Sequence, residues 1–264
     1  MLTAIRVRAV VILVSLCLSG TFAYGQDSPQ FMSRYDFYLA ISKLGSGDRR
    51  FDWNGRIGGD MDLVDYVKGR LSLFAEYEVV MGNELRPFDP SQGNYTFDGS
   101  SSWRLGKTEV AAVFHHLSRH LSDRPKIEAV AINSLEARVD RHFELGKAAI
   151  DARGGFGKVV EHAFLDYSWR AHSDISVRYP ITSVVEWFGK TSTETFGVDR
   201  SIAGRDRSQT SGRLETGVRL KGKQGSVELF GGWEHRADAY PLARTGLSWG
   251  LAGFRLTSGP AGIH

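Results

Sequence analysis

Residues 114–123 read Phe-His-His-Leu-Ser-Arg-His-Leu-Ser-Asp, which puts three histidines and two serines into ten positions. Two kinds of chemistry use these side chains. An imidazole can take the proton of a serine hydroxyl and make it a nucleophile for acyl transfer, provided a third group holds the imidazole in one tautomer. Histidines joined by an aspartate can instead ligate zinc, at about 2.0–2.1 Å per nitrogen. The backbone decides between them. On an extended strand, positions i and i+2 share a face, and their Cα atoms lie about 6.6 Å apart at a rise of about 3.3 Å per residue. His116 and Ser118 then meet as base and nucleophile, His115 points the other way, and His120 falls in or near the following loop. His116 and His120 would stand about 13 Å apart, too far to share a metal unless the chain turns after Ser118 and brings in Asp123. No metal set and no cofactor is assigned.

A triad also needs an orienting group. The next apolar stripe, Ile127, Ala129, Ala131, Leu135, Ala137 and Val139, has one polar interruption, Asn133. A hairpin centred between Arg124 and Pro125 sets Asn133 opposite His116. The expected site is therefore Ser118 as nucleophile, His116 as base and Asn133 as orienter. Arg119 and Arg124 are candidates for holding a phosphate or another anionic lipid headgroup. A purely structural role for the same residues at a strand end is the alternative.

The elements that must position these groups are strands, because the hydrophobic pattern has period 2. Phe51, Trp53, Ile57, Met61 and Leu63 alternate with Asp52, Asn54, Arg56, Asp60 and Asp62. Similar alternation marks strands over 33–42, 51–63, 68–81, 93–105, 108–119, 127–142, 146–153, 160–171, 175–198, 211–221, 225–236 and 244–257. A soluble sandwich shows the same alternation with its apolar face inward. The length of the stretches and the alternation of tight with long connections favour a membrane barrel, whose tilted strands run about 9–11 residues between short turns on one side and longer loops on the other. Gly106-Lys107, His172–Asp174 and Lys221–Gly225 are read as the tight turns, and aromatic residues near strand ends, all six tryptophans among them, as interfacial girdles. The expected fold is all-β: a transmembrane, antiparallel, up-and-down β-barrel of about twelve strands, or fourteen if 175–198, which contains Pro180, hides two more.

The chain opens with Arg6 and Arg8, an apolar run from Ala9 to Leu18 and the small-residue pattern Ala23-Tyr24-Gly25. This reads as a signal peptide cleaved near Gly25, with 26–264 forming a single outer-membrane barrel domain. The single cysteine, Cys17, lies within that leader. Two arginines and no acidic residue leave with residues 1–25, so the formal charge of the remainder is +1 rather than +3, and no nucleic-acid partner follows from it. The expected partners are outer-membrane lipids or lipopolysaccharide, with oligomeric state open. The face opposite the apolar one carries both charge signs, as in Arg56, Asp60, Glu78, Arg170, Glu215 and Arg236. It reads as a narrow lumen filled by ion pairs, or as charges solvating a water-filled interior.

His-x-Ser at the outer end of a barrel strand, with an asparagine on the next, resembles the outer-membrane phospholipase A and lipid A deacylase families. That resemblance implies a lipid esterase whose active site faces the bilayer, carried here by His116, Ser118 and Asn133. Arg119 stands where those families usually have asparagine. The fuller pattern His116-x-Ser118-x-His120-Leu121-x-Asp123 is similar to a motif of uncharacterised outer-membrane proteins, which implies the barrel and no activity.

Overall fold

A computed structural model describes residues 28–122, 125, 130–199, 206–240, 242 and 245–258. Twelve strands form one closed antiparallel barrel: β1 Gln30–Leu44, β2 Trp53–Asp65, β3 Arg70–Gly82, β4 Asp89–Leu105, β5 Thr108–Leu121, β6 Val130–Leu145, β7 Ala148–Ala163, β8 Tyr167–Pro180, β9 Val185–Val198, β10 Ser208–Lys221, β11 Ser226–Arg236 and β12 Leu247–Thr257. Each pairs with its neighbours in sequence, and β12 closes onto β1 from Tyr38↔Thr257 to Leu44↔Leu251.

Connections of two to four residues lie at one end, together with the start of β1 and the end of β12. At the other end one connection has three residues and the others six to ten. The two tightest turns start on Gly106 and Gly146, at φ 65° and 60°, which glycine adopts without a Cβ penalty.

The polarity is inverted relative to a soluble barrel. On β1, Tyr35, Phe37, Leu39 and Ile41 face out, while Asp36, Tyr38, Ala40 and Ser42 are buried. Ile57, Leu135, Phe156, Ile175 and Leu229 are likewise exposed on other strands. Tyr35, Trp103, Phe143, Tyr179 and Trp187 ring the short-turn end. Inside, carboxylates and arginines pair at close range. Glu228, fully buried, meets Arg255 at 2.5 Å, Arg219 at 2.8 Å and Lys190 at 3.4 Å. Arg236 joins Glu234 at 2.5 Å on its own strand to Glu78 on β3. Charges that would be costly in isolation are tolerated in these clusters because opposite charges meet there.

Three expectations change. First, His172–Asp174 is no turn: β8 runs through it, and the hairpin of 175–198 falls at 181–184, just after Pro180. The break read between 153 and 160 is continuous strand, because Gly155 and Gly157 are sites of close approach. A Cβ on Gly157 would lie 2.3 Å from the Leu135 carbonyl oxygen. The count stays at twelve. Second, Trp249 belongs to no girdle. It is 3% exposed and stacks on Phe51 at 5.3 Å inside the wide mouth, so β12 is apolar on both faces because its inner face joins an apolar cluster. Third, β4 begins at Asp89 and β5 continues through Leu121, so the segment around Asp89 and the position of His120 are strand.

The mouth is occupied. The β11–β12 connection reaches across to β4 and β5, where the Ala239 carbonyl accepts bonds from Gln92 Nε2 at 3.0 Å and Arg119 Nη2 at 3.2 Å. Arg50 of the β1–β2 connection lies over the Tyr240 ring at 4.3 Å.

Candidate active site on the outer face

At the wide-mouth end of β5, His116, Ser118 and His120 all point outward, as three alternate positions of one strand must. The register pairs His116 with Phe97 on β4 and with Asn133 on β6, and Ser118 with Tyr95 and Ala131. Asn133 thus stands where the hairpin arithmetic puts it. Its Oδ1 is 2.7 Å from His116 Nδ1.

A residue the sequence reading did not include completes this arm. Asn133 pairs with Glu161 on β7, and its Nδ2 donates to Glu161 Oε2 at 2.9 Å. Strict alternation from the inward Gly157 and Val159 would send Glu161 inward too. The ladder shifts register here, pairing Asn133 with Glu161 but Ser134 with Val159, so Val160 is the extra residue of a β-bulge. Bulges re-aim side chains in this way. The one signal in the sequence was an acidic residue among the glycine-rich residues of 153–161, which gives no register.

Ser118 does not contact its expected partner. Its Oγ lies 2.8 Å from His120 Nε2, and the His120 ring meets the Tyr95 ring edge-on at 5.7 Å. The expectation missed this pair because it ended the strand at residue 119. With β5 extending through Leu121, Ser118 has an imidazole two residues to either side, and Tyr95, itself packed on Tyr77 at 4.8 Å, props the upper one. The two halves of a triad are present on two histidines that flank Ser118: nucleophile with imidazole at Ser118–His120, imidazole with orienter at His116–Asn133–Glu161. Ser118 must leave this rotamer for its Oγ to face His116.

The remaining site residues separate. His115 faces the lumen, 3% exposed, with Nδ1 2.7 Å from Asp98. Arg119 also faces the lumen, against the expectation that it meets a headgroup outside; position 119 is one step from Ser118, and period 2 sends it inward. Arg124 lies outside the described residues.

Fold and site together define the class: a closed, twelve-stranded antiparallel β-barrel, charged within and apolar without, bearing a Ser/His/Asn/Glu cluster on its outer wall. No family model matches the chain, and no curated protein matches it in sequence. Among solved structures, a NanC porin aligns with a TM-score of 0.48 and 10% identity over 85% of this chain and 100% of its own. OmpT, an outer membrane protein of Vibrio cholerae, aligns at 0.41 and 9% over 90% and 99%. Omp33 of Acinetobacter baumannii aligns at 0.37 and 11% over 85% and 97%. None of these likenesses bears on activity.

Proposed function

We propose that the protein is an integral outer-membrane barrel that hydrolyses lipid esters on its outer wall, with Ser118 as nucleophile, His116 as base and Asn133 as orienter. The observation that carries the reading is the placement of an imidazole–asparagine pair and a serine–imidazole pair side by side on an apolar, outward surface, beside Phe97 and Phe114. The exterior supports the membrane setting, since a belt of exposed Leu, Ile, Val and Phe above a ring of Tyr and Trp suits lipid and not water. The leader expected over residues 1–25 suits export to that membrane, with the longer connections facing outward.

In this reading Ser118 Oγ attacks the ester carbonyl of a phospholipid or lipid A acyl chain while His116 Nε2 takes its proton. The proton passes to the departing alcohol, the acyl group stays on Ser118, and water delivered through the same imidazole releases the fatty acid. The filled lumen makes the barrel a support for this surface site rather than a wide pore.

Purified wild type and Ser118→Ala, both folded by heat-modifiable gel migration, are to be compared on phospholipid and lipid A vesicles. Fatty-acid release by wild type alone supports the proposal; equal or absent release removes it. A second reading, a non-enzymatic closed or narrow-channel barrel, draws on the Ser118 hydroxyl being engaged with His120 and not His116. Planar-bilayer recordings separate its two forms: steady conductance indicates a channel, and silence a scaffold.

A further inference from the structure

The wide-mouth half of the lumen holds a cavity of about 360 Å³. Seven Lys and Arg side chains line it. Six of them have carboxylate partners: Arg56 with Glu78, Arg170 with Glu136, Lys190 with Glu228, Arg213 with Glu234, Arg236 with Glu78 and Arg255 with Glu215. The seventh, Arg119, has none within ion-pair distance among the described residues, and the carboxylates of Asp238, Glu78 and Glu194 act on it only from further off. Its Nη2 meets two neutral oxygens, Ala239 O at 3.2 Å and Gln92 Oε1 at 3.3 Å. Among the described residues its Nε and Nη1 have no hydrogen-bond partner, while Nη2, the nitrogen shared by both bidentate edges, is engaged. A carboxylate would therefore take a single charge-assisted bond here, from Nε or Nη1, with the charge of the guanidinium behind it.

The surroundings restrict what that carboxylate can belong to. Leu117, Ile132, Leu165, Tyr167 and Phe196 form an apolar wall of the same cavity, with Leu117 two residues from Arg119 on the same face. Asn94, opposite Arg119 in the ladder, spends Nδ2 on Glu78 at 2.7 Å and leaves Oδ1 unpartnered. His115 spends Nδ1 on Asp98 at 2.7 Å and leaves Nε2 unpartnered. Both side chains are at least nine-tenths buried and line the cavity. A carboxylate accepts only, so His115 Nδ1 is the donor to Asp98, and Asn94 Oδ1, an acceptor, waits for a donor. The volume lies near the lower end of the roughly 300–1,000 Å³ of small-molecule sites.

We propose that this cavity binds a small organic carboxylate that has an apolar body and a hydrogen-bond donor, with Arg119 as its anchor. The site is separate from the outer-wall cluster: Arg119 and Ser118 are neighbours in sequence on opposite faces of β5.

The test is calorimetric titration of the full chain, folded in detergent, with the sodium salts of acetate, benzoate, 4-hydroxybenzoate and glucuronate, and with 4-hydroxybenzyl alcohol as the uncharged counterpart. Saturable binding of benzoate or 4-hydroxybenzoate is expected, at least tenfold tighter for 4-hydroxybenzoate than for the alcohol. Folded Arg119→Gln should bind it at least tenfold more weakly. If no carboxylate binds folded wild type, the cavity holds water only and the proposal fails. It fails equally if the alcohol binds as well as 4-hydroxybenzoate, a comparison that needs no variant, or if Arg119→Gln binds like wild type. Lipid ester hydrolysis, measured on the same preparations, is independent of either result.

Discussion

Glu161 accepts a hydrogen bond from Asn133, and this relationship sets the chemistry of His116. A carboxylate offers no proton, so the Asn133 amide must turn its nitrogen to Glu161 and its oxygen to His116. His116 Nδ1 must then be the donor, so that whenever the ring carries a single proton its lone pair is on Nε2, the nitrogen a general base uses.

Glu161→Gln releases the amide to rotate. If the outer-wall cluster hydrolyses lipid esters, kcat should fall roughly tenfold, about 1.4 kcal/mol of barrier, with KM little changed, because Glu161 orients the base and does not touch the lipid. Asn133→Ala should cost at least as much. An unchanged kcat in steady-state assays of Glu161→Gln would remove Glu161 from the site.

Glu228 tests the filled lumen. Glu228→Gln leaves Arg255, Arg219 and Lys190 around a neutral amide, and breaking a buried pair of this kind costs roughly 3–5 kcal/mol. The urea midpoint of the variant in lipid vesicles should drop well below that of wild type. An unaltered midpoint would mean that water already screens the cluster.

Gly157 tests the close approach of β6 and β7. Its missing Cβ would stand 2.3 Å from the Leu135 carbonyl oxygen and 2.7 Å from the Glu136 Cα, both backbone atoms that cannot swing aside. Gly157→Ala should destabilise the barrel by roughly 1–3 kcal/mol, the ordinary cost of overpacking. Gly154→Ala, whose nearest atom is 3.9 Å away, should be far milder in the same gel-shift melting experiment.

Asp48 gives a pH dependence outside the barrel wall. Hydrogen bonds from the Arg50 side chain, at 3.0 and 2.6 Å, hold its carboxyl below the usual aspartate range. A depressed carboxyl contributes stability above the unfolded value of about 3.9 and loses it as pH falls through the lower folded value. Both side chains are about a quarter exposed, so the effect is local and below about 1 kcal/mol. The hydrogen-exchange protection factors of residues 48–52, with the intrinsic pH dependence divided out, should be flat from pH 7 to 5, fall below about pH 4, and be lowered at pH 7 in Asp48→Asn. Equal exchange in wild type and variant at pH 7 would show that the pair orders nothing.

Much of this was legible in the residues. Period-2 alternation decides which side chains share a face wherever a strand is regular, so the outward row through Phe114, His116 and Ser118 and the pairing of His116 with Asn133 could be read by counting. Glycine misled in one region: the break read between strands 146–153 and 160–171 proved to be continuous strand, because the signal for a turn and for close backbone approach is the same residue.

The primary sequence by itself determined the barrel class and the His116–Asn133 register and narrowed the count to twelve or fourteen strands, since each follows from local alternation and hairpin geometry. The tertiary structure alone decided that Glu161 faces outward, that Ser118 rests on His120, and that Arg119 bonds to Ala239 with no ion-pair partner among the described residues. The first depends on a one-residue bulge, the second on where a strand stops, and the third on a connection that crosses the mouth. None of these is encoded in the spacing of neighbouring residues.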